Sequence, residues 1–150
     1  MAEDYEGQDL EGRDFSGQDL RVANFKGAHL EGANLTKANL RIANLTKATL
    51  AGANLSGARL GDANLDEANL EGANLTNANL TNANLTKANL AGANLSWARL
   101  GDANLSGANL RASKLRDAHM AGVNLDNADL KGADLSGANR ERVDLQLAMI

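Results

Sequence analysis

The 150-residue chain has no cysteine and no proline, and only 3% of it is aromatic. Without cysteine, a disulfide framework and thiolate chemistry are both excluded. Without proline, no slow X-Pro isomerisation attends folding. No run of 18 apolar residues occurs, so no transmembrane helix is expected. The first residues, MAEDYEGQDLEGRD, are acidic and carry no apolar stretch, so they do not read as a signal peptide, and a soluble, cytoplasmic protein is expected. A net charge of −4 gives no basic excess for nucleic acid.

What the chain does have is a five-residue period, clearest over 73–87, which read ANLTN ANLTN ANLTK. A small residue leads, an amide follows, then a leucine, then two polar positions. A helix cannot use this spacing, because leucines five apart would be turned by about 140° each time and spiral round the axis. A continuous strand cannot either, since odd spacing alternates faces. The period fits a short extended piece followed by a corner, with one leucine per side pointing inward. Stacked coils then pair their backbones like parallel strands about 4.8 Å apart.

The register never slips. Of 30 centre positions, taken at every fifth residue from Tyr5 to Ile150, 24 are Leu; the others are Tyr5, Phe15, Phe25, Met120, Arg140 and Ile150. Two residues before the centre, 23 of 30 are Ala, and one residue before it 16 are Asn and 7 are Asp. This A(N/D)LXX pattern resembles the pentapeptide repeat family. The resemblance implies an all-β fold, a right-handed quadrilateral β-helix with four units to a coil. For this length that means about seven and a half coils and a rod of roughly 36 Å.

The chain reads as one domain, 1–150, in three parts. Residues 1–20 form a polar N-terminal coil. Glu3, Gln8, Arg13 and Gln18 stand where Ala is usual, and seven acids against Arg13 give this coil −6 while the rest is +2. It reads as an end cap whose charges discourage stacking on an open sheet edge, with Tyr5, Phe15 and Phe25 filling the space left by missing alanines. Residues 21–110 are near-ideal. Within them 31–70 and 71–110 agree at 33 of 40 positions, which points to a duplication of two coils or to a partly idealised design, and none of the differences touches the Ala or Leu columns. Residues 111–150 are degenerate. Arg140 occupies a centre, where an unpaired inward charge would be costly, so distortion of its coil or escape of the side chain to solvent is expected.

Asn at the amide position tolerates turns and bonds nearby backbone, and stacked amides can bond one another. Of 15 glycines, 13 fall two residues after a centre, where positive φ at a corner costs glycine nothing.

No set of residues assembles a catalytic or metal site. His29 and His119 fall on different sides and about four coils apart, too far to share a metal. No nucleophile–base–orienter set can be built from two isolated histidines, and the glycines recur as corners rather than as a phosphate loop. No enzyme activity, cofactor or metal is expected.

The outward positions supply the candidate surfaces. One face carries a Ser/Thr column from Ser16 to Ser136, together with Trp97, which replaces Gly57 of the duplicate. Another carries Arg21, Arg41, Arg59, Arg99 and Arg142 against Asp19, Asp62, Asp102 and Glu141, with Val22 and Ile42 stacked outward. Trp97, Val22 and Ile42 are the candidate partner contacts. At the C-terminal end Leu145, Leu147, Met149 and Ile150 lack any polar cap, and they are the candidate contacts of a homodimer joined tail to tail, as several members of the resembled family do.

The expected function is a non-enzymatic repeat scaffold, structural or protein-binding, with an unknown protein partner, no direct nucleic-acid binding and no membrane association. Some members of the resembled family protect DNA gyrase from quinolone drugs, apparently by imitating DNA, and this supplies the alternative. Imitation of duplex DNA needs a long, strongly negative surface. The outward positions of the four faces sum to about −3, −3, 0 and +1, so no face is uniformly acidic.

Overall fold

The structure, a computed structural model, describes residues 2–150. The chain winds into a β-solenoid in which parallel bridges join residues twenty apart, from Asp4↔Asn24 through His119↔Asn139. Four five-residue units therefore return the chain to the same side. Each side holds one bridged residue, at the amide position, between successive turns. The sides are thus not continuous strands, because two of every five residues are spent on the corner.

In a regular unit, one with Asn at the amide position, every backbone N–H has a defined partner. In the unit 73–77, Ala73 N–H closes a turn on Leu70 O (3.0 Å), and Asn74 N–H bonds Ala53 O (2.9 Å) one coil back. Leu75 N–H bonds Asn94 O (2.7 Å) and Asn77 N–H bonds Ser96 O (3.1 Å), both one coil on. The remaining donor, Thr76 N–H, is taken by the side-chain oxygen of Asn74 at 3.0 Å. This last bond explains the amide column. Asn Oδ1 caps the first corner residue of its own turn, as at Asn34, Asn44, Asn64 and Asn94. Bonds between stacked amides are the lesser role, as in Asn84 to Asn64 (3.2 Å) and Asn109 to Asn89 (3.3 Å).

The second corner residue has positive φ at every turn from Gly7 to Arg142. Thirteen of these are glycine and fifteen are not. The backbone therefore demands a left-handed residue at each corner and the sequence meets that demand with glycine at under half of them.

The core is the stack of Ala and Leu columns, fully buried from Ala23 to Leu110. Ser113, in an Ala position, is buried and donates to Leu110 O (2.7 Å), which satisfies its hydroxyl within its own turn. At the N-terminal end Tyr5 stacks on Phe25 (4.8 Å between ring centroids), and Phe15 meets both rings edge-on at 5.5 and 5.8 Å. Glu3, Gln8, Arg13 and Gln18 are exposed. Arg13 lies over the Phe15 ring (5.4 Å), and Gln8 donates to Asp4 O. The aromatic cluster and its polar lid thus close the end of the core, as expected from the missing alanines.

At the other end Arg140 is exposed while its backbone stays in register, with Met120 N–H bonded to Asn139 O at 2.9 Å. The disturbance falls just after it. Asp144 makes no bridge to Asn124, and the chain rejoins at Asp129↔Met149 with Asn127 N–H bonded to Leu147 O (2.9 Å). The centre leucines Leu135 and Leu145 are only half-buried, since no further coil of the described residues stacks above them.

Candidate functional site

Outward side chains leave the solenoid from three positions in each unit, the amide and the two corner residues. Val22 and Ile42 occupy the same corner of successive coils, at φ 62° each. They are 55% and 56% exposed. With Ala2, Asp19, Arg21 and Arg41 they line an open groove of about 480 Å³. Arg21 Nη2 bonds Asp19 Oδ2 at 2.7 Å, and this guanidinium holds the Asp19 carboxyl below its ordinary range. Arg41 Nη2 stands 3.9 Å from Asp62 Oδ2. The groove is thus an apolar strip rimmed by two guanidinium groups, each with one carboxylate beside it.

The left-handed region is a rare place for a β-branched residue, because Cβ meets the following carbonyl there. Neither side chain is buried enough to offset that by packing. Trp97, at φ 61° and 55% exposed, shows the same combination. It sits at the adjacent corner and on later coils, so the structure brings Val22 and Ile42 together and leaves Trp97 apart from them.

At the C-terminal end Leu147, Met149 and Ile150 are exposed, Ile150 most of all at 77%. Leu145 is half-buried and packs against the end of the core, so it is not part of the exposed surface of that patch.

Sequence reasoning passed over two further features. His29 Nδ1 faces Glu31 Oε1 (3.7 Å) and Thr49 Oγ1 (3.5 Å), a small polar cluster beside exposed Asp9 and Glu11. Burial opposes ionisation of Glu31, yet hydrogen bonding and His29 hold its carboxyl below the ordinary range. The second feature is a groove of about 480 Å³ beside Gly61, lined by Arg41, Arg59, Asp62, Asn79, Thr81, Asn82 and Arg99. Its signal in the sequence is the segment Arg-Leu-Gly-Asp, present at both 59–62 and 99–102. Among the described residues no group of His, Cys, Asp and Glu could hold a metal ion, and no helix is long and apolar enough to cross a membrane.

A search of curated protein sequences gives no significant match. Among solved structures, the chain is similar to HetL, a pentapeptide repeat protein involved in heterocyst differentiation regulation from the cyanobacterium Nostoc sp. strain PCC 7120. That match has 28% identity and a TM-score of 0.51, and it covers 97% of this chain and 89% of that one. It is also similar in fold to two structures of trypsin-treated QnrB1, a plasmid-mediated fluoroquinolone resistance protein. One has 20% identity, a TM-score of 0.58 and coverage of 100% and 74%. The other has 19% identity, a TM-score of 0.59 and coverage of 99% and 91%. The family model for pentapeptide repeats matches residues 6–34, 23–62, 63–102 and 103–139, in eight copies. With its twenty-residue coils, its Ala and Leu columns and its Asn-capped corners, this chain belongs to the pentapeptide repeat family.

Proposed function

We propose that the chain is a single, soluble, cytoplasmic and non-enzymatic solenoid domain, right-handed and of about seven and a half coils, that serves as a protein-binding scaffold. The observation that carries this reading is the pair Val22 and Ile42. Two β-branched residues hold a left-handed conformation at φ 62° and remain more than half exposed. They add strain without adding to the core, and strain of this kind collects where function requires a particular side chain. The partner best suited to the groove presents an apolar side chain flanked by carboxylates, which would meet Arg21 and Arg41. Trp97 is a second anchor, on another corner.

The test is a comparison of captured proteins between the wild type and Val22→Asn/Ile42→Asn, with Trp97→Gly alongside. Asn already stands at the equivalent corner Asn82 at φ 60°, so the fold tolerates the change. A partner lost with the double variant upholds the reading. A partner set unchanged by all three substitutions sinks it.

In the same reading the C-terminal residues Leu145, Leu147, Met149 and Ile150 join two copies tail to tail. Binding to DNA gyrase is the second reading. The concentration of seven acids in residues 1–20 favours it, as does the fold shared with QnrB1. A supercoiling assay with gyrase and a quinolone decides it: protection by this protein would establish that reading, and no effect would remove it.

A further inference from the structure

We propose that the notch at Gly61 binds a phosphate group. The argument begins with the backbone. In each regular unit the first corner N–H is taken by the Asn side chain two residues earlier. The coils on either side of the notch obey this rule: Arg41 N–H bonds Asn39 Oδ1 (3.4 Å) and Thr81 N–H bonds Asn79 Oδ1 (3.1 Å). At the notch the amide position is Arg59, which has no oxygen to offer. Gly61 is buried, and its N–H has no acceptor among the described residues. A buried backbone donor is nearly always paired, so this one marks a place for an oxygen from outside the chain.

The surroundings specify what kind of oxygen. Arg59 replaces the very amide whose oxygen is missing, and it lines the same groove as Gly61. Glycine keeps the position open. A Cβ added there would lie 3.8 Å from Arg41 Nε and 3.8 Å from Thr81 O, which places Arg41 at the mouth of the notch. Arg99 reaches the same groove from two coils on. The Asn79 side-chain oxygen is used by Thr81 N–H and by Thr81 Oγ1 (2.6 Å), leaving its amide hydrogens free to donate. Against these stands one carboxylate, Asp62, whose side chain is 48% exposed and 3.9 Å from Arg41. Three guanidinium groups against one carboxylate leave a net +2, which matches a dianion. Neither Arg59 nor Arg99 forms an ion pair among the described residues. Convergent guanidinium groups with a backbone N–H form the donor set suited to the several oxygens of a phosphate.

The duplicated segment at 99–102 gives an internal comparison. Gly101 also lacks a capping amide, yet it is flanked by Thr81 and Ala121 in its own column rather than by an arginine. A phosphate is therefore expected at Gly61 alone.

The experiment is calorimetric titration of the full chain with inorganic phosphate at fixed ionic strength, repeated with Arg59→Asn and Arg99→Asn. Arg59→Asn restores the regular amide, so it caps Gly61 N–H and removes the charge without disturbing the repeat; circular dichroism checks that. The expected result is binding to the wild type, a loss of about 10-fold or more with Arg59→Asn, and a smaller loss of about 3-fold with Arg99→Asn. Wild-type binding absent at about 10 mM phosphate, or affinity for Arg59→Asn within about twofold of wild type, would overturn the proposal. A phosphoserine peptide in a parallel titration separates the sources of the group. Tighter binding than inorganic phosphate identifies a phosphate carried on a protein, and weaker binding identifies the free ion; either outcome upholds the site.

Discussion

Replacing Ala112 by glycine should stabilise this protein, although the same change destabilises most. Ala112 is an exposed second corner residue at φ 55°, in a column where Gly12, Gly32, Gly52, Gly72, Gly92 and Gly132 hold the equivalent place. A left-handed conformation costs an L-residue about 1–2 kcal/mol. Glycine escapes that cost but loses more backbone freedom on folding, about 0.5–1 kcal/mol. The methyl group packs little, being exposed, so no burial term intervenes. The difference is a gain of about 0.5–1 kcal/mol, or about 1–4 °C in Tm for a chain of this size. The assay is urea unfolding followed by circular dichroism, with Gly52→Ala as the mirror experiment. A Cβ on Gly52 meets nothing within 4 Å, so its effect is conformational only, and a loss of about 0.5–1 kcal/mol is expected. If Ala112→Gly lowers stability while Gly52→Ala leaves it unchanged, corner strain does not govern these positions, and the strain argument for Val22 and Ile42 fails with it.

Truncation of a central core residue, Leu75→Ala, should cost about 2–5 kcal/mol in the same unfolding assay, whereas Leu75→Lys should leave no folded protein; a soluble, folded Leu75→Lys chain would refute the inward assignment. The corner caps make stability depend on acid. Backbone and side-chain bonds from Ser16, Lys131 and Ser136 hold the Asp14, Asp129 and Asp134 carboxyls below the ordinary range. Depressed folded pKa values mean that this stabilisation is present above the unfolded value, about pH 4, and is lost as pH falls through the folded values. Thermal melts from pH 7 to pH 2 should therefore be flat at first and fall below about pH 4; a Tm that rises on acidification would contradict it. For the C-terminal patch, sedimentation should show a dimer that Leu147→Asp/Met149→Asp converts to monomer; equal mass for both proteins removes the tail-to-tail interface.

The five-residue period made the inward centres from Leu10 to Leu130 legible, whereas the twenty-residue coil was implied by the family resemblance and stands in the structure as the bridges between residues twenty apart. The place of Val22, Ile42 and Trp97 on the surface was legible for the same reason. The glycines two residues after a centre pointed to positive φ at that position, but the sequence did not carry the inference to the non-glycine corners, where the structure holds Val22, Ile42 and Trp97 left-handed as well. The amide column was read as a ladder as much as a turn former, and the structure weights it toward capping. The carboxamide lies closer to its own corner N–H than to its neighbour one coil away. The Gly61 notch stayed hidden because it depends on a bond that is absent, which becomes visible only against the capped corners of the coils on either side. The break after Arg140 was foreshadowed by a charge at a centre, but its location at residues 143–145, with pairing resumed at Met149, was not.

The bridges that join residues twenty apart also fix how the molecule would answer to force. Among the described residues each coil is bridged only to the coils beside it, by bonds that run along the axis, with no bridge reaching from one end to the other. Tension between the termini therefore bears on the outermost coil alone and peels it away before the next is loaded. Each release frees twenty residues, about 65 Å of slack. The trace expected from a single stretched molecule is a staircase of near-equal steps starting at the half-buried C-terminal units, which would make the rod an extensible tether rather than a brittle strut.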